Sequence, residues 1–247
     1  MYSIKKTLLV VAFVTVAAAQ SPQPPLSDSR LTVHTLLRED IFAGFIADDM
    51  TRFERGEKNI QLLLDQRPDQ KGNLLSWKGG AALYRAVRAH ENNRRDEFQR
   101  YYREALDFFA EARKTTTGND GVPAVTGGSL AIFADRLPKE YRAFAWSGAY
   151  ENYLALYKLQ APFIDKLPVH LRGEVLGGLA QGAQRTGRKE EMAQYVDKIL
   201  AVLSNTPYES VAKKWKANPE SAANTSITCM TCHDAGRLAV RLTDLKQ

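Results

Sequence analysis

Residues 74–114 read LLSWKGGAALYRAVRAHENNRRDEFQRYYREALDFFAEARK, and their periodicity decides the fold class. In the second half Phe98, Tyr102, Ala105, Phe109 and Ala112 recur at three- and four-residue intervals, which places them on one face of a helix. Arg100, Arg103, Glu104, Asp107 and Glu111 cover much of the opposite face. In the first half Trp77, Ala81 and Tyr84 form a second helical stripe. The polar run Glu91-Asn92-Asn93-Arg94-Arg95 is a turn between the two. The stretch therefore predicts an antiparallel helical hairpin.

The same pattern extends in both directions. Residues 32–49 and 51–66 predict an earlier hairpin stopped by Pro68, and Pro138 opens a helix with an aromatic stripe of Trp146, Tyr150, Tyr153 and Tyr157. Core packing explains that stripe, and a wall beside a flat cofactor is the sharper alternative. Residues 172–185 and 189–203 predict a last hairpin about Thr186-Gly187-Arg188, closed by Pro207. Gly177, Gly178 and Gly182 inside it point to close helix contact, or to room for a flat ligand. Residues 115–128, rich in Thr and Gly with one proline, are expected to form a hinge between N-terminal hairpins at 31–114 and C-terminal hairpins at 129–208. The expected class is all-α.

Trp77, Ala81 and Tyr84, with Leu176, Leu179, Ala180, Gly187, Met192, Val196 and Ile199, resemble the large and small positions of the tetratricopeptide-repeat family. Gly80 stands where that family has leucine, and Pro207 closes its repeat about three residues late. The resemblance covers about half the chain. It implies a solenoid or bundle of helix pairs whose surface binds another protein.

Residues 1–19 carry Lys5 and Lys6, then the apolar run TLLVVAFVTVAAA ending in small residues. That order is a secretory signal, with cleavage expected before Gln20, and the run is shorter than the ~20 residues of a membrane-spanning helix. The mature chain is expected in the periplasm or outside the cell, without a transmembrane segment. A flexible, proline-bearing leader is expected over 20–30. Cleavage removes two lysines and no acidic residue, so the formal charge of +6 falls by two. Acidic and basic residues are interspersed, which gives nucleic-acid binding no support.

Both cysteines lie in Cys229-Met230-Thr231-Cys232-His233, within the segment 209–247. The C-x-x-C-H spacing is the signature of covalent haem c attachment. Two thiols three residues apart can each add to one vinyl group of a single porphyrin, and the following imidazole can bind its iron. Cys229, Cys232 and His233 are thus the expected cofactor-binding residues, with His233 the metal ligand. Other readings stay open at this point. Zinc would need a fourth ligand from His34, His90 or His170. A disulfide would close a very small loop, a redox pair lacks βαβ surroundings, and the pair could be inert. The late position, with CMTCHD at 229–234 and a helix expected over 235–245, resembles cytochromes of the c-prime kind. That resemblance implies a proximal His233 and a vacant or weakly filled sixth site, although this chain is nearly twice the expected length.

A sixth ligand, if present, must come from upstream: His34, His90, His170, Met50 or Met192. Met230 is poorly placed for it. Ser129 lacks a G-x-S-x-G frame, and neither a phosphate loop nor H-E-x-x-H occurs. The sequence favours an electron carrier with a redox partner over an enzyme. The competing expectation is a secreted helical scaffold with a disulfide or inert cysteine pair.

Overall fold

Local chemistry sets the first helix pair. The Thr32 hydroxyl accepts from the Thr35 amide at 3.1 Å and caps α1, Val33–Ala47. Asp48 leaves the helix in left-handed backbone at φ 54°, and the Asp49 carboxylate caps α2, Met50–Gln66, by accepting from the Arg52 amide at 3.1 Å. The computed structural model describes residues 23–115, 120–223 and 236–245. Eight more α-helices follow in that set: α3 (Lys71–Glu91), α4 (Arg95–Thr115), α5 (Gly121–Phe133), α6 (Lys139–Gln160), α7 (Val169–Arg185), α8 (Lys189–Val202), α9 (Pro207–Ala217) and α10 (Arg237–Asp244). The described residues contain no strand, so the protein is all-α.

The helices pack as antiparallel pairs, α1 with α2, α3 with α4, α5 with α6 and α7 with α8. Two of the pairs turn alike. Asn93 at φ 58° and Gly187 at φ 75° take the left-handed position. The next amides, of Arg94 and Arg188, reach back to the carbonyls of Ala89 and Ala183, each at 2.8 Å. Equivalent positions of the two hairpins are buried too: Gly79 and Gly173, Ala86 and Ala180, Phe98 and Met192. Further contacts join α3 to α5, α6 to α7 and α8 to α9, while α10 lies on α1.

Two large apolar cores result, with a small third cluster of Leu75, Ala112 and Val122. The first gathers α1 to α5 around Phe53, Trp77, Tyr84 and Phe133, and the second gathers α6 to α9 around Tyr153, Leu176 and Trp215. Their border runs along α6, where Trp146 belongs to the first and Tyr150 to the second. Trp146, Tyr150 and Tyr153 are buried and Tyr157 is half-buried, so the aromatic stripe is mainly core. Gly178 explains how α7 fits against it, because a Cβ there would stand 2.6 Å from the Tyr153 ring.

The hinge expected over 115–128 is corrected from Gly121 onward. Those residues form the first turns of α5, a buried helix between α3 and α6. Pro123 stands in the first helical turn, where its missing N–H costs nothing. Gly127 lets the backbone approach α6, with a Cβ position 3.2 Å from Asn152. The boundary expected near 208 is corrected as well. Tyr208, Val211, Ala212 and Trp215 of α9 belong to the second core. Among the described residues no helix is long and apolar enough to cross a membrane.

Candidate functional site

A groove crosses the first helices of the four pairs. From α1, His34, Arg38 and Phe42 face it at successive four-residue intervals, one side of one helix. Trp77 of α3, Ser129 of α5, Tyr153 of α6, and His170 and Glu174 of α7 also line it. The cavity measures about 200 Å³. That is below the ~300–1,000 Å³ of a site enclosing a drug-sized ligand, so a larger planar group would be held by part of its surface.

The walls combine aromatic surface with a few polar groups. The His34 and Trp77 rings lie 5.1 Å apart, and Phe42 meets Trp77 edge-on at 5.8 Å. His34 lines the groove and its ring is partly open to solvent, although it sits close against Trp77. Desolvation, reinforced by the charge of Arg38, lowers its pKa below the usual imidazole value, so the ring is neutral at pH 7. Its nitrogens make no hydrogen bond among the described residues. The Trp77 indole N–H is buried and finds no acceptor there either. An unmatched buried donor costs ~1–3 kcal/mol.

The structure brings together two sequence candidates, His34 and His170, and sets His90, Met50 and Met192 apart from them. His90 packs on Phe98 at 5.8 Å near the end of α3, and Met50 starts α2 against the first core. Met192 is buried in the second core and lines a separate cavity of about 260 Å³ with Trp215 and Pro219. Cys229, Cys232 and His233 lie outside the described residues, as do Met230 and the whole signal segment 1–19. Among the described residues no group of three or more His, Cys, Asp or Glu could hold a metal ion.

Both sides of the C-x-x-C-H segment are nevertheless fixed. Before it, the short turn Pro219–Ala223 is tied to α7: the Gln181 side chain donates to the Ala222 carbonyl at 3.1 Å, and Arg185 donates to the Ala223 carbonyl. Arg185 also pairs with Asp135 and lies over the Trp146 ring at 4.9 Å. After it, the Leu238 amide donates to the Glu39 carboxylate of α1 at 2.7 Å, and the Arg30 guanidinium donates to the Leu245 carbonyl at 3.2 Å. The Leu238 side chain is buried in the first core.

Sequence reasoning passed over Arg38 and Glu174, and it took Trp77 for a packing residue. The spacing of His34, Arg38 and Phe42 was a usable signal, since a mixed polar and aromatic face is unusual for plain core. No family model, no curated protein and no solved structure matches this chain.

Proposed function

We propose that this protein is an exported c-type cytochrome that carries one electron at a time. Cys229 and Cys232 hold one haem c, each thiol adding across a vinyl group so that a C–S and a C–H bond form and nothing is released. His233 binds the iron. When bound, haem supplies reversible one-electron chemistry whose potential the protein tunes by ligation and burial. The observation that carries this reading is the complete C-x-x-C-H sequence set between two tethered ends, Ala223 on α7 and Leu238 on α1. Tethered flanks restrict where a group carried between them can go, which a defined potential requires.

The test is to export the full chain from a host that attaches haem. The expected product is red and heavier than the cleaved polypeptide by one haem, and Cys229→Ala with Cys232→Ala abolishes both properties. A colourless product from that host, lighter by two hydrogens, would instead support the second reading. There the cysteines form a disulfide and the chain is a helical docking scaffold. That reading is favoured by one observation, the groove running across the first helices of all four pairs.

A further inference from the structure

We infer that the groove lined by α1, α3, α5, α6 and α7 is a binding site for a small uncharged phenol, a single aromatic ring bearing a hydroxyl group, with His34 accepting from that hydroxyl. The site takes a ligand other than haem and stands without it.

Size and surface set the ring. The cavity measures about 200 Å³. An apolar cavity of ~150 Å³ holds benzene, so the groove suits one substituted ring. Phe42, Trp77 and Tyr153 line it with aromatic side chains, and Val125 and Ile132 with aliphatic ones. Such walls favour a flat apolar ring.

Gly128 gives independent evidence that the space is kept open. It lies inside α5, where glycine weakens a helix relative to alanine. Its neighbour Gly127 is required by packing, since a Cβ there would stand 3.2 Å from Asn152. A Cβ on Gly128 would meet only the Tyr153 hydroxyl at 3.6 Å and a Glu174 carboxylate oxygen at 4.0 Å, both ordinary contacts. Packing therefore does not demand glycine at 128. The room it leaves belongs to the groove, which it lines.

Charge and hydrogen bonding set the rest of the ligand. Arg38 and Glu174 bring one charge of each sign to the lining, and both are already engaged within the fold. A charged ligand would have to disrupt one of them, whereas a neutral one leaves both in place. His34 is neutral at pH 7 and makes no hydrogen bond among the described residues. A neutral imidazole carries one lone-pair nitrogen, which accepts an O–H. A phenol keeps its proton at pH 7, as tyrosine does, and so offers that donor without bringing charge.

Calorimetry on the exported full-length chain, titrated with p-cresol, tests this. One molecule per chain is expected to bind at millimolar concentration or below, and 4-hydroxybenzoate, which adds a negative charge, should bind more weakly. His34→Phe should weaken p-cresol by ~3- to 10-fold, the worth of one hydrogen bond, and leave toluene unaffected. Gly128→Leu should abolish binding of both, with far-ultraviolet dichroism checking that each variant is folded. Fluorescence locates the site in full-length chains freed of haem by Cys229→Ala and Cys232→Ala. A chain keeping only Trp77 should respond to p-cresol, and one keeping only Trp215, which lines the separate cavity, should not. No saturable binding of p-cresol overturns the proposal. So does binding unchanged in folded Gly128→Leu, equal weakening of p-cresol and toluene by His34→Phe, tighter binding of 4-hydroxybenzoate, or a response at Trp215 alone. A colourless wild type that binds p-cresol counts against the haem reading and not against this site.

Discussion

Asp40 is a buried carboxylate, 2% exposed and held between two arginines of α2. Arg52 Nε stands 3.1 Å from one carboxylate oxygen and Arg55 Nε 2.6 Å from the other. Removing the carboxylate leaves two cations facing a space made for an anion. Asp40→Ala is therefore expected to lower stability by about 3 kcal/mol in urea denaturation, the lower end of the ~3–5 kcal/mol for breaking a buried pair, because both arginines reach solvent. A loss under 1 kcal/mol would show that the pair contributes little. His34 makes a prediction of opposite chemistry. Its pKa is lowered in the folded chain, so below the ordinary value of 6.5 the unfolded chain binds a proton that the folded chain refuses. Stability of the haem-free protein is thus complete above pH 6.5 and declines as pH falls through that value. His34→Phe should flatten this slope between pH 6.5 and 5, and an unchanged slope would assign the effect elsewhere.

At the scale of elements, α5 and α10 depend most on their neighbours. Residues 121–128 are poor helix formers by composition, and they are helical because α3 and α6 enclose them. Helix α10 has eight residues, too few to persist alone in water, where isolated helices need ~12–15. Among its described side chains only Leu238 is buried, 3% exposed. Leu238→Ala removes ~2 kcal/mol or more of buried contact, which is a large part of what holds so short a helix. Hydrogen exchange should therefore accelerate across α10 while α3 and α4 stay protected. Equal acceleration in all three would mean that α10 is integral to the first core. The helix pairs themselves were legible from residue spacing, because each pair's stripe faces its own partner. Helix α9 was not legible, since Pro207 reads as a stop and here opens a helix at its first position.

For the whole molecule, the decisive element is α6, which enters the first core at Trp146 and the second at Tyr150 and Tyr153. One continuous helix shared by two cores couples their unfolding. Variants keeping only Trp77 or only Trp215 should therefore report the same denaturation midpoint by fluorescence, and two separated midpoints would mean two independent units. Sequence alone determined the all-α class, the paired helices and the cysteine pair with its adjacent histidine. Those features follow from spacing between near neighbours, which the chain carries wherever it folds. Tertiary structure alone decided that α5 is a helix, that the cores meet inside α6, and that His34, Trp77 and Tyr153 line one groove. These depend on contacts between residues far apart in the chain, where burial and close backbone approach override local propensity.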